Sequence, residues 1–301
     1  MSNFMKNTFY KQRADFLKDL PAREERFSMP DDILEESDIP YGNDGLEAHR
    51  MDIYRPKHSS EKKLPVIINV HGGGLLLGCK EFNRYFCAQL CRLGYLVFSI
   101  EYRLVPDCLF FDQCDDLFHA MQCINDLLAA YNADPDRIYA VGDSGGACLL
   151  TYCTAMQNCS SIADAAHITP ASTHIRALGL ISGMFYTNRF DKIGLFLPKY
   201  LYGPHYRQSE FAPYVNPEHP DIVRSLPPCF LVTSHNDHLR SYTIHFEKAL
   251  KKYGVPHILL DFPANKKLTH AFSVFDPSLE ESLLTIKSIS DYFQEEASYE
   301  L

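Results

Sequence analysis

Short apolar runs recur along the chain at RMDIYRP (50–56), PVIINV (65–70), YLVFSIEY (95–102), RIYAVG (137–142), IRALGLIS (175–182), PCFLVTS (228–234) and PHILLDF (256–262). Their length and their β-branched and aromatic content predict strands. Between them, EFNRYFCAQLCRLG, DDLFHAMQCINDLLAAY, GACLLTYCTAMQ and RSYTIHFEKALKKYG space apolar residues along one helical face, as does LEESLLTIKSISDYFQEE near the end. Continuously apolar strands separated by helices predict an α/β fold, a mostly parallel central sheet with helices on both faces. Gly94 and Gly254 stand where helices should end, each just before a strand.

Two segments do not follow this alternation. Residues 1–45 precede it, and residues 183–226 form a long aromatic insertion punctuated by prolines. Structureless connections of that length are uncommon in a compact domain unless they form lids or binding surfaces. Both are therefore expected to build a helical cap on a single domain spanning 1–301. Phe185, Tyr186, Phe190, Phe196, Tyr200, Tyr202, Tyr206 and Tyr214 of the insertion, with Phe4, Phe9, Tyr10 and Phe16 near the start, are candidates to line an apolar substrate pocket.

Composition narrows the function. The 29 Lys and Arg against 38 Asp and Glu give a net charge of −9 with both signs scattered, which leaves no basic stripe for nucleic acid. No stretch reads as a signal peptide or membrane span, so the expectation is a cytoplasmic protein without membrane insertion. Most of the ten cysteines lie inside apolar runs and read as reduced, packed thiols. No Cys/His spacing reads as a zinc motif, HNDH at 235–238 being too short to stand alone, and no metal or cofactor is expected. A homodimer is left open: a late helix or edge strand could pair two copies, with no specific signal for it.

The chemistry is carried by a few residues. GDSGG at 142–146 follows an apolar strand and precedes a helical pattern, so Ser144 falls on a sharp strand-to-helix turn that exposes a nucleophilic hydroxyl. Side chains at Gly142 and Gly146 would collide with the neighbouring strand and helix. The strand at 65–70 runs straight into HGGG at 71–74, and consecutive glycines after a strand make sense where main-chain N–H groups must approach a reacting atom. The N–H groups of Gly73, Gly74 and Gly145 are the candidate oxyanion hole. His71 reads as a brace for that loop, as does Arg103 for its own, and Asp143 as a hydrogen-bonding residue. Asp237 and His270 follow two later strands in the order Ser, Asp, His, which makes them the candidate acid and base. The chymotrypsin-like order His, Asp, Ser is not met.

HGGG (71–74), EYRLVPD (101–107), GDSGG (142–146), DHLR around Asp237 and HAF (270–272) resemble, in order, the blocks of the hormone-sensitive-lipase-like esterases of the α/β-hydrolase fold. The resemblance covers roughly residues 45–295. It implies a cap built from N-terminal helices and an insertion after the sixth strand, and a serine hydrolase of esters. The absence of Trp and of a long apolar surface helix makes short-chain, acetyl or aryl esters the expected substrates rather than triglycerides. The chain departs from the family in three places. Leu75 follows HGGG where an aromatic is usual, and this position joins Phe185, Tyr186 and Tyr202 as the candidate pocket. Gly145 replaces Ala in GDSAG, and DPLRD reads DHLRS, with His238 and Ser241 in place of Pro and Asp. An amidase or peptidase on the same fold and a non-catalytic binding protein remain alternatives. No cofactor is implied, and the expected partner is a small ester.

Overall fold

The computed structural model describes residues 3–58 and 62–298, the side chains of residues 3, 4, 192, 297 and 298 excepted. All seven predicted runs are strands, numbered here as β2 (Arg50–Pro56), β3 (Leu64–Val70), β4 (Leu96–Ile100), β5 (Ala133–Asp143), β6 (Leu178–Ile181), β7 (Cys229–Ser234) and β8 (His257–Phe262). An eighth, β1 (Ile33–Pro40), precedes them, and together they form one sheet in the order β1-β2-β4-β3-β5-β6-β7-β8. From β4 to β8 every neighbour is parallel, while β2 enters antiparallel to both β1 and β4.

Strand β1 corrects the expected cap boundary, because residues 33–40 of the 1–45 segment belong to the sheet. Its sequence, ILEESDIP, shows no apolar alternation. Backbone pairing to β2 holds this edge strand, and ion pairs from Arg55 to Glu36 and from Arg84 to Glu35 hold its acidic side chains. An edge strand needs only one buried partner, so hydrophobicity does not mark it.

Alternate residues of β3 serve opposite faces of the sheet. Val66, Ile68 and Val70 pack with residues of α4 (Phe110–Leu127) and α5 (Ser144–Asn158), whereas Ile67 packs with α3 (Arg84–Arg92) and the helix Glu280–Ser298. Two earlier helices, α1 (Asn3–Leu17) and α2 (Leu20–Arg26), come before the sheet. The insertion 183–226 is not a bare loop: it carries short helices at Lys192–Phe196, Pro198–Leu201 and Pro220–Arg224 and two 3-10 turns. Among the described residues no helix is long and apolar enough to cross a membrane.

The parallel strands all point one way, so the segments leaving β3, β5, β7 and β8 meet at one edge of the sheet. Those segments carry HGGG, Ser144, Asp237 and His270. Open α/β sheets place their sites at this edge.

Candidate active site

Strand β5 ends at Asp143 and α5 begins at Ser144, with no residue between them. The reversal puts Ser144 at φ +49°, a left-handed conformation that non-glycine residues seldom adopt. Met184 N–H donates to the Ser144 carbonyl at 2.9 Å, which fixes the turn from the β6 side. The turn also needs the small residues around it. A Cβ on Gly146 would stand 2.1 Å from the Val70 carbonyl oxygen, and one on Gly142 would stand 2.8 Å from the backbone of Gly146.

His270 lies between the other two candidates. Its Nε2 is 2.9 Å from Ser144 Oγ and its Nδ1 is 2.7 Å from Asp237 Oδ1. Asp237 is also held from its other side, its Oδ1 accepting from Leu239 N–H at 2.8 Å and its Oδ2 from the Thr233 hydroxyl at 3.2 Å. Burial alone would raise its carboxyl. The hydrogen bond and charge of His270, with Ser182 and the Leu239 N–H, outweigh burial and hold it below the usual carboxylate range. Asp237 therefore stays ionised and orients His270 with Nε2 toward the serine hydroxyl. Ser182, whose Oγ also accepts the Ala271 N–H at 3.0 Å, went unmarked in the sequence. Its only signal was its place at the end of β6.

The glycine loop lies across the front of the elbow. A Cβ on Gly145 would stand 2.9 Å from the Gly74 nitrogen and 2.8 Å from the Leu75 nitrogen, so these main-chain groups crowd around the start of α5. Among the described residues no acceptor takes the N–H of Gly73 or Gly74. The Gly145 N–H is at the open end of α5, where helices leave donors unpaired. Gly73, at φ +104°, could not carry a side chain, since its Cβ would stand 2.1 Å from the Leu77 carbonyl oxygen. The loop is braced from behind. His71 bonds Glu101 at 2.9 Å and the Gly72 carbonyl at 2.8 Å and stacks on Tyr102, while Asp143 accepts from Gly72 N–H at 3.0 Å and from Asn83 at 2.9 Å. Burial would lower His71, but the charge and hydrogen bond of Glu101 outweigh it and raise its pKa. Arg103 braces the next turn, bonding both carboxylate oxygens of buried Asp116.

A cavity of about 520 Å³ opens over Ser144 and His270. Its walls are apolar: Phe9 and Phe16 come from α1, Ile193, Phe196 and Leu197 from the insertion, and Met184, Leu239 and Phe275 from the segments after β6, β7 and β8. Arg13 holds α1 in place by donating to the carbonyls of Leu76 (3.2 Å) and Val105 (3.0 Å) and pairing with Asp107 (3.0 Å). Tyr10 bonds the same Asp107. The last polar group in the cavity is His238, whose ring centre is 4.4 Å from that of His270. Burial first, then the charge of His270, lower its pKa against the pull of Asp237, so it is a neutral imidazole near pH 7.

The structure does not bring the other candidate pocket residues to this cavity. Leu75 is fully buried, its carbonyl accepting from Val105 N–H and Gln113. Phe185 stacks on Phe246 at 4.1 Å, Tyr186 donates to Glu218 beneath Arg189, and Tyr202 bonds Thr187 and packs against Phe110. These aromatics pack the insertion onto the helices beside it, Phe185 on Phe246 and Tyr202 on Phe110, where their rings bury large apolar areas. Phe190 is exposed, and Tyr200 packs on Phe9. The side chain of Phe4 lies outside the described residues.

A family model described as alpha/beta hydrolase fold matches residues 67–273, about two thirds of the chain. A probable isoprenylcysteine alpha-carbonyl methylesterase of Arabidopsis thaliana is 28% identical over 66% of this chain and 43% of its own length. The versiconal hemiacetal acetate esterase of Dothistroma septosporum is 24% identical over 87% of this chain and 81% of its own. The chain spans about half the length of the plant methylesterases it matches. Among solved structures, esterase B of Lactobacillus rhamnosis inhibited by a tributyrin phosphonate superposes with a TM-score of 0.92 over 100% of this chain and 97% of that one, at 21% identity, which shows a shared fold.

Proposed function

Since the chain belongs to the α/β-hydrolase fold family, in its hormone-sensitive-lipase-like branch, we propose that it is a serine carboxylic-ester hydrolase. The observation that carries this reading is His270, bonded at once to Ser144 and to Asp237 beside the open N–H groups of the glycine loop. In the reaction, His270 Nε2 removes the Ser144 proton as Oγ attacks the ester carbonyl. Asp237 steadies the imidazolium, and the oxyanion forms among the N–H groups of Gly73, Gly74 and Gly145. His270 then protonates the departing alcohol. A water deprotonated by the same histidine releases the acid from the acyl-enzyme.

The helices α1 and α2 and the insertion 183–226 act as the cap, and the apolar walls favour uncharged short-chain, acetyl or aryl esters. Cavities of this size suit small ligands. The tributyrin phosphonate that inhibits the Lactobacillus enzyme makes butyrate esters the first to try. A reducing compartment such as the cytoplasm suits ten free cysteines, seven of them buried.

The test is hydrolysis of p-nitrophenyl acetate, butyrate and octanoate by the wild type and by Ser144→Ala. Turnover that vanishes in the variant supports the reading. Turnover that survives it would place the nucleophile elsewhere.

A further inference from the structure

Of the polar side chains lining the cavity, Ser144 and His270 enter the proposed mechanism and Asp143 braces the glycine loop, which leaves His238. This imidazole is exposed, sits against His270, and neither ring nitrogen has a hydrogen-bond partner among the described residues. The ligand atoms of Asp237, His238 and His270 all lie within 4.8 Å of one another. Two imidazoles with ring centres 4.4 Å apart can share one cation, and the carboxylate already fulfils a supporting role. Histidines that ligate metals usually donate their second ring N–H to a carboxylate, which fixes the tautomer and raises basicity. Here Asp237 accepts from His270 Nδ1 at 2.7 Å and leaves the Nε2 lone pair facing the Ser144 hydroxyl at the cavity floor, where a cation would take the place of that hydrogen bond.

We propose that His238 and His270 form a binding site for a borderline divalent cation, best matched by Zn²⁺, and that its occupancy silences Ser144. Imidazole nitrogen suits zinc and copper, whereas magnesium and calcium prefer oxygen. A tetrahedral zinc with bonds of about 2.0–2.1 Å sets its nitrogens about 3.4 Å apart, within reach of a His238 ring that no hydrogen bond holds. The Nε2 lone pair that binds the cation is the one that would accept the Ser144 proton. Coordination and proton abstraction therefore exclude each other. Water, or the Ser144 hydroxyl itself, completes the coordination, and no bond is made or broken in the protein. The effect on turnover rests on the ester-hydrolase reading, but the binding does not.

The experiment uses the full chain, stripped of metal with EDTA and exchanged into chelator-free buffer. ZnCl2 is titrated calorimetrically, and p-nitrophenyl butyrate hydrolysis is followed in parallel, each variant normalised to its own metal-free rate. One site is expected in the wild type, weakened at least tenfold in His238→Phe, in His238→Gln and in His270→Ala. Wild-type turnover should fall as the site fills, return with EDTA, and ignore MgCl2. The cysteines are unchanged in these variants, so zinc bound to thiols appears equally in all of them, and either His238 variant suffices if the other fails to fold. Equal zinc affinity in the wild type and a folded His238 variant, or no such site in the wild type, overturns the proposal. Should no ester be turned over, the calorimetric comparison still decides the site, and only the ester-hydrolase reading falls.

Discussion

The floor and the walls of the cavity are held together differently. The floor consists of Ser144, His270, Asp237 and the glycine loop, each fixed by hydrogen bonds or by backbone contacts that no side chain could enter. The walls are Phe9, Phe16, Ile193, Phe196 and Leu197, placed by apolar packing and by a few anchors such as Arg13. Hydrogen bonds have direction and fixed length, so a small displacement breaks them. Apolar contact is non-directional and tolerates exchange of residues of similar volume. Changes in the floor should therefore alter rate or folding, and changes in the walls should alter which ester is preferred.

The largest effect is expected at Ser144, the proposed nucleophile. Ser144→Ala should lower kcat by about 10⁶-fold and Asp237→Asn by about 10⁴-fold, with KM little altered. A loss of less than a hundredfold in Ser144→Ala, read from steady-state kinetics, would sink the division between floor and walls. Gly146→Ala drives a Cβ into the Val70 carbonyl and should destabilise the fold by about 1–3 kcal/mol, measured by urea denaturation. In the walls, Phe16→Ala should leave butyrate turnover within a few-fold and change the octanoate-to-acetate ratio of kcat/KM about tenfold. An unchanged ratio would remove α1 from substrate selection.

Smaller still is a pH effect behind the glycine loop. The pKa of His71 is raised in the folded chain, so folding favours its protonated form. That stabilisation is complete below the ordinary histidine value of about 6.5 and is lost as pH rises through the raised value. Thermal unfolding should show the wild-type Tm falling over this window more steeply than that of Glu101→Gln. At the bottom of the scale, Phe190→Ser on the exposed side of the insertion should change stability by less than about 0.5 kcal/mol.

The same contrast explains what was legible beforehand. HGGG, GDSGG, Asp237 and His270 stood out because backbone approach and proton transfer demand particular residues at particular places relative to the strands. The structure brings Ser144, His270 and Asp237 within hydrogen-bond distance. The walls had no such mark. A phenylalanine facing a cavity, as Phe196 does, has the same pattern as one packed against a neighbouring helix, as Phe185 is on Phe246, and only the fold separates them. Met184, Leu239 and Phe275 reach the cavity because they follow strand ends by a few residues, a signal that hydrophobicity does not carry. Strand β1 was hidden by its acidic side chains, which are neutralised by arginines far along the chain.

The antiparallel entry of β2 also sets an order on synthesis. Met51 lies opposite Ile100, so β1 and β2 leave the ribosome as an isolated acidic pair well before β4 exists to receive them. Closing that long loop is an entropic step that can occur only after the intervening chain is made. Helix α1, made before β1, waits for the segment 76–107 that binds Arg13. This early helix thus finds its place late, and an arrest of translation before residue 107 would leave it without one.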